Sequence, residues 1–190
     1  LSYFVTILCL MLLINATNLS DGINGLCVLI SVFWFLYLFS IIDNQTNLTS
    51  RIIFIILLIL IFINIYKGKF FLGNSGSHFI GGLIGLYLIK KYNVILENNS
   101  IINKISVEEI FLVLFLPGVD MFRLFIQRLY NKLNPFKPDK NHFHHYLVNN
   151  FNLKNSLIIY VIFLVTPYLI YKYVNIDFFY FLLIFIIFYL

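Results

Sequence analysis

The segment Asn15–Leu26 sets four amide or acid side chains, Asn15, Asn18, Asp21 and Asn24, and two glycines, Gly22 and Gly25, beside apolar stretches. Oxygens of this kind suit a hard divalent cation and the hydroxyl or base edges of a ligand. Glycine lets a backbone approach that ligand closely. The same residues also make an ordinary helix–loop–helix corner, and from this segment alone the two readings are even. A second cluster, Gly73-Asn74-Ser75-Gly76-Ser77, stands directly before an apolar helix. Its backbone N–H groups can bind phosphate, or Asn74 or Ser75 is a plain N-cap, the simpler reading of the cluster alone. Gly81 and Gly85 form a GxxxG spacing that reads as close helix packing. The third cluster is the richest, running from Leu116-Pro117-Gly118-Val119-Asp120-Met121-Phe122-Arg123 through Arg128 to Asn134–His145. Its basic side chains can clamp a diphosphate. His142, His144 and His145 can bind phosphate or sugar, or transfer protons. They could also hold zinc, but the other soft or acidic ligands of a zinc signature are absent.

The elements that must position these clusters are set by composition. Of 190 residues, 61% are apolar, 19% aromatic and only 11% charged, and the mean hydropathy is +0.93. A soluble domain is about half apolar and a quarter charged, and a disordered chain needs low hydrophobicity and high charge, so both classes are excluded. The expected fold is an all-α membrane protein, a polytopic transmembrane helix bundle forming a single unit over residues 1–190. A helical crossing takes about 20 apolar residues, which leaves no room for a separate soluble domain. Apolar segments run over Leu1–Ile14, Ile23–Ile42, Ile52–Tyr66, His78–Ile89, Ile110–Ile126, Leu157–Tyr171 and Ile176–Leu190. Several are short of a full span and must borrow flanking polar residues or lie beside a thinned or wet site. Cys9 and Cys27 both fall in apolar stretches and are expected to be free, buried thiols. The chain opens at Leu1 inside an apolar run, with neither the basic region nor the cleavage site of a signal peptide, and is read as a piece of a longer protein.

Strict alternation of these segments puts the three polar clusters on one face, in the connections Asn15–Gly22, Lys67–Ser77 and Gln127–Asn155. The connections Asp43–Arg51, Lys90–Val107 and Lys172–Asp177 fall on the other. Lys67, Lys69, Arg123, Arg128, Lys132, Lys137, Lys140 and Lys154 share the first face, against Arg51, Lys90, Lys91, Lys104 and Lys172 on the second. The bias makes the cluster-bearing face cytoplasmic. Distant polar clusters converging on one face look like one site. The net charge of +5 suits anionic lipid or a phosphorylated substrate rather than nucleic acid.

Taken together, the three clusters resemble the polyprenyl-phosphate N-acetylhexosamine-1-phosphate transferases. That family includes the bacterial undecaprenyl-phosphate GlcNAc-1-phosphate transferases, phospho-MurNAc-pentapeptide translocase and the dolichyl-phosphate enzymes. The resemblance runs from about Ile14 to Leu147 in family order. Its most specific part is the third cluster, of the form PFxPDxNHxHHxL, which favours the bacterial GlcNAc branch. The resemblance implies transfer of a sugar-1-phosphate from a UDP-sugar to undecaprenyl phosphate with release of UMP, in cell-envelope glycan synthesis. It implies a multi-pass enzyme of the plasma membrane that uses Mg²⁺ or Mn²⁺ and whose site loops are cytoplasmic. The implied partners are the UDP-sugar, the lipid phosphate and the bilayer, with a homodimer left open and no nucleic acid. Carried over by motif, Asn18 and Asn74 would meet the metal. Asn15, Gly22, Asn24, Ser75, Arg123 and Arg128 would bind substrate, with uracil at Gly22 and Asn24. Asp21, His142, His144 and His145 would be catalytic.

The chain departs from the family at three places. Asn24 stands where most bacterial members have Asp, although Asn occurs there in eukaryotic relatives. Asn74 stands where the family has the Asp of GDxGS, and an amide is a poorer Mg²⁺ ligand. The family's adjacent acidic pair is missing, since Asp21 and Asp43 are isolated and Glu108-Glu109 falls on the opposite face. The pair is expected in a preceding half of the protein. A catalytically inactive relative that only binds nucleotide-sugar or a partner is the alternative. A small transporter subunit fits less well, because transporters put polar breaks near the midplane and often repeat internally.

Overall fold

The computed structural model describes residues 3–41, 48–67, 71–98, 106–135, 141–174 and 176–189. Every regular element among them is helical. In order these are α1 (Tyr3–Leu19), a 3-10 turn (Ser20–Gly22), α2 (Leu26–Ile41), α3 (Leu48–Lys67), α4 (Gly73–Asn98), α5 (Val107–Tyr130), α6 (Phe143–Asn150), α7 (Leu153–Tyr173) and α8 (Phe178–Tyr189). Each apolar segment became one helix. α6 is additional and lies inside what the sequence reads as a connection.

The helices outrun the apolar runs at their ends, which corrects the expected boundaries. Asn15–Leu19 belong to α1 and not to a loop. Thr17 Oγ1 donates to the Leu13 carbonyl at 2.7 Å and Ser20 Oγ to that of Ala16 at 2.8 Å, so these polar residues satisfy themselves within the helix. The break comes at Asp21 (φ −80°, ψ 24°) and at Gly25, whose φ of 83° suits glycine. α4 begins at Gly73, ahead of the expected His78, and runs on to Asn98 through part of the expected Lys90–Val107 connection. α5 starts on a side-chain N-cap, with Ser106 Oγ accepting from the N–H of Glu109 at 3.1 Å. It ends where Lys132 turns left-handed (φ 54°) and the N–H of Leu133 closes on the Arg128 carbonyl at 2.8 Å.

Among the described residues two helices, Tyr3–Gly22 including the 3-10 turn and Leu153–Tyr173, are long and apolar enough to cross a membrane, and Leu26–Ser40, Arg51–Ile63 and Phe178–Ile187 are shorter apolar helices. Large apolar side chains face outward on α1, α3 and α8, among them Phe4, Ile7, Ile55, Phe62, Phe179 and Ile184. A soluble monomer rarely exposes contiguous apolar surface on this scale. Cys27 is buried as expected, its thiol donating to the Thr17 carbonyl at 3.6 Å. Cys9 is not buried: it faces outward on α1, because an apolar stretch surrounded by lipid need not bury every side.

The closest pairing in the bundle is α1 against α4. A Cβ added at Gly81 would stand 2.8 Å from Thr17 Oγ1 and 3.0 Å from the Ile14 Cα. The GxxxG spacing therefore does bring two backbones together, as its sequence suggests. The core continues through Leu26, Ile30, Trp34 and Leu38 of α2, Val113 and Leu116 of α5, and Tyr160 and Leu164 of α7.

A polar contact ties α2 to α5. Pro117 has no N–H, so the Val113 carbonyl four residues earlier loses its helical partner. Trp34 Nε1 donates to that carbonyl at 3.0 Å, with the indole 1% exposed. Trp34→Phe keeps an aromatic ring but leaves the carbonyl unpaired in the core. It should cost about 1–3 kcal/mol, read as an earlier thermal unfolding midpoint of the detergent-solubilised chain.

Candidate functional site

The three polar clusters meet at one end of the bundle. The carboxylate of Asp21, on the 3-10 turn, accepts the N–H of Gly73 on Oδ2 at 2.7 Å and that of Leu72 on Oδ1 at 3.4 Å. It therefore caps α4 from another element, where an anion also meets the positive end of the helix dipole. Neither Asn74 nor Ser75 is the cap. Both lie exposed in the first turn, and one of the N–H groups expected to bind phosphate, that of Gly73, is already taken by Asp21. Ser77, expected in a loop, is buried in α4. Its hydroxyl lies 2.7 Å from Asn18 Oδ1, to which it donates, and within reach of the Gly73 and Asn74 carbonyls at 2.9 and 3.2 Å. The first and second clusters are thus joined through Asn18–Ser77 and Asp21–Gly73.

The third cluster arrives through α6. A Cβ on Gly22 would stand 2.5 Å from His144 Nε2 and 3.1 Å from His145 Nε2. Only glycine admits both imidazoles at this distance. His142 and His144 are 5% and 2% exposed and stack in parallel, ring centres 5.4 Å apart, with His145 4.4 Å beyond His144. His144 Nε2 has no hydrogen-bond partner among the described residues. Burial, then the neighbouring His145 and His142, push its pKa down to about 3. Near neutral pH this ring is uncharged. It can exchange a hydrogen bond with a ligand but cannot clamp a phosphate as a cation.

Asp120, quoted in the sequence cluster without a role, proves to be the carboxylate that holds this loop. It is 4% exposed, accepts from Arg123 at 2.9 Å and from the N–H of Phe143 at 3.1 Å, and lies 2.8 Å from His142 Nδ1. Its signal in the sequence was a lone acid inside an apolar helix, where an ionisable side chain is costly unless partnered. Arg123 also donates to the Asn141 carbonyl at 2.8 Å, and Arg128 to that of Pro135 at 2.7 Å. Both arginines thus spend donors on holding the chain before α6. Asn24 is half-buried behind Gly22, while Asn15 is exposed on α1. Phe136–Lys140, which carry part of the expected PFxPD pattern, lie outside the described residues, as do Asp43 and Lys69.

Among the described residues no three His, Cys, Asp or Glu side chains converge to hold a metal unaided. The neighbouring donors are the amide oxygens of Asn18 and Asn74 and the Asp21 carboxylate. All are oxygens, the class Mg²⁺ accepts, and Mg²⁺ commonly takes one or two protein oxygens and completes its shell with water and substrate phosphates. The donor chemistry fits such an ion.

A helical bundle with outward apolar faces, drawing three polar clusters to one end, defines a helical membrane protein with a polar site at the bundle's edge. Residues 1–91 match the family described as glycosyl transferase family 4. It is similar to the undecaprenyl-phosphate alpha-N-acetylglucosaminyl 1-phosphate transferase of Escherichia coli K12, 29% identical over 161 residues covering 77% of this chain and 40% of that protein. The Thermotoga maritima protein of the same description is 32% identical over 151 residues, 80% of this chain and 45% of that one. A probable undecaprenyl-phosphate N-acetylglucosaminyl 1-phosphate transferase of Bacillus subtilis is 28% identical over 176 residues, 87% and 45%. The chain thus spans less than half the length of these relatives. No solved structure gives a significant match.

The burial of His144 has a measurable consequence. Its folded pKa of about 3 lies below the ordinary 6.5, so the unfolded chain takes the proton first as the pH falls. Its share of stability is therefore full above about pH 6.5 and declines toward pH 3, by about 1.4 kcal/mol per pH unit. His144→Phe keeps a flat ring and removes this proton. Unfolding free energies measured against pH should show a shallower acid limb in the variant, by that slope.

Proposed function

We propose that this chain carries the nucleotide-sugar side of a transferase that moves N-acetylhexosamine-1-phosphate from a UDP-sugar to a polyprenyl phosphate and releases UMP. The observation that carries the reading is the convergence of three sequence-distant clusters, Asp21 on Gly73, Ser77 on Asn18, and Gly22 against His144. The names of the relatives supply the sugar phosphate and the undecaprenyl acceptor. In the reaction a lipid-phosphate oxygen forms a bond to the β-phosphorus of the donor, and the bond from that phosphorus to the oxygen of UMP breaks. Such a transfer depends mainly on positioning and charge neutralisation.

The residues divide this work by where they sit. Gly22 and Asn24 offer backbone access and an amide to the uracil edge. Asn18 and Asn74 would hold Mg²⁺, or Mn²⁺, whose part is to neutralise the diphosphate. Arg123, Arg128 and the three histidines border the diphosphate and sugar, with His144 as a neutral hydrogen-bonding ring. Asp21 fixes the first turn of α4, and so the place of Asn74 and Ser75. The bundle would be a multi-pass unit of the plasma membrane with this end cytoplasmic, in keeping with the excess of Lys and Arg in its connections. A chain that binds the nucleotide-sugar without transferring is favoured by Asn74, an amide where a carboxylate would serve better, and by Asp21, both of whose oxygens already accept backbone N–H groups.

Isothermal titration of the reconstituted chain with Mg²⁺ should show UDP-N-acetylglucosamine binding in preference to a GDP-sugar. Asn24→Leu should remove that preference at a cost of about 1–3 kcal/mol. Equal binding of both nucleotides would count against the transferase reading.

Asn74 gives a second test. A carboxylate brings charge and two acceptor oxygens, an amide one oxygen and no charge. Asn74→Asp should lower the Mg²⁺ concentration for half-maximal UDP-sugar binding, and for UMP release wherever release is detected. Since Asn74 does not cap α4, an unchanged metal curve would remove it from the site altogether.

A further inference from the structure

The hydrogen bonds around Asp120 differ in kind from the rest of the site. Its Oδ1 accepts from Arg123 at 2.9 Å and from the N–H of Phe143 at 3.1 Å, while Oδ2 faces His142 Nδ1 at 2.8 Å. Carboxylate and imidazole are 4% and 5% exposed, so neither can turn to water for a partner. An ionised carboxylate only accepts, so Nδ1 must be the donor, and the neutral ring then keeps its lone pair on Nε2. His142 is also the residue immediately before α6 and makes no side-chain cap there. Asp120 supplies the cap through Phe143. One carboxylate thus sets both the start of α6 and the tautomer of the ring that opens it.

We propose that Asp120 is a positioning residue that locks His142 as the Nδ1–H tautomer and makes Nε2 of His142 a proton-accepting atom of the histidine cluster. The comparison within the cluster supports the choice of ring. His144 stacks on His142, yet its burial among the other imidazoles keeps it from taking a proton near neutral pH. His142 differs by having a carboxylate against its Nδ1, which leaves Nε2 as the ring's lone-pair atom. Arg123 donates to the same carboxylate at 2.9 Å. How the ring is held follows from these contacts alone. That the accepted proton belongs to a sugar-phosphate transfer rests on the transferase reading above.

The test reads the ring directly. The chain is labelled with ¹⁵N-histidine, reconstituted in nanodiscs, and His142 is assigned by its loss in His142→Gln. At alkaline pH, where every imidazole is neutral, nitrogen shifts separate N–H from bare nitrogen. The unmutated chain should show His142 protonated on Nδ1 and bare on Nε2. Protonation on Nε2 instead would overturn the proposal without any variant. In Asp120→Asn the amide oxygen can keep Arg123 and the Phe143 N–H, which leaves the NH₂ facing Nδ1. Nδ1 must then accept, and the proton should move to Nε2. This is the tautomer swap known when the aspartate behind a catalytic histidine becomes asparagine. A folded Asp120→Asn chain that keeps Nδ1–H would also overturn the proposal, since a merely structural Asp120 would leave the tautomer alone. Titration of the unmutated chain with UDP-N-acetylglucosamine is run alongside. Failure to bind would sink the transferase reading while leaving the tautomer result standing.

Discussion

A carboxylate removed from water must be met by donors, and in this bundle two aspartates meet theirs at the starts of helices to which they do not belong. Asp21 takes the first N–H of α4, and Asp120 takes that of α6. Helix starts carry unpaired N–H groups and a partial positive charge, so each contact satisfies two costly groups at once. These two contacts fix where the polar clusters lie. Release of Asp21 would free the first turn of α4, with Asn74 and Ser75. Release of Asp120 would free the histidines.

Close approach is the second constraint. Gly81 brings α4 against Ile14 and Thr17 of α1, which sets Ser77 beside Asn18 one turn earlier along α4. Gly22 does the same for α6, since any Cβ there would collide with His144. The imidazoles are thereby packed against a backbone and against one another, which is why His144 stays neutral. Tight packing, rather than residue type, keeps that ring uncharged.

The scaffold beneath the site is held by apolar burial and by a repair within it. Pro117 breaks the hydrogen-bond ladder of α5, and Trp34 of α2 supplies the missing donor. In a low-dielectric interior an orphaned carbonyl is expensive, so the proline of α5 depends on its partner helix. Asp120 lies in the same helix, less than one turn past the proline, so α2 and α5 are held together close to the residue that anchors the histidine loop.

Much of this was legible in the sequence. An apolar content of 61% with 11% charge fixes a helical bundle with its greasy faces outward, because backbone polar groups in lipid must be paired within each helix. The polar clusters, and even the GxxxG contact, could be picked out because polar residues and paired glycines are conspicuous against such a background. Helix ends could not. Hydropathy counts apolar side chains, whereas helices run on through Asn15–Leu19 and Gly73–Ser77 wherever hydroxyls or a distant carboxylate satisfy the backbone. Nor could the sequence tell that Cys9 faces outward, that Asp21 rather than Asn74 caps α4, or that Asp120 stands behind His142. Those depend on which groups, 22 to 52 residues apart, come within hydrogen-bond reach. Residue order alone does not encode that distance, and only the packed bundle decides it.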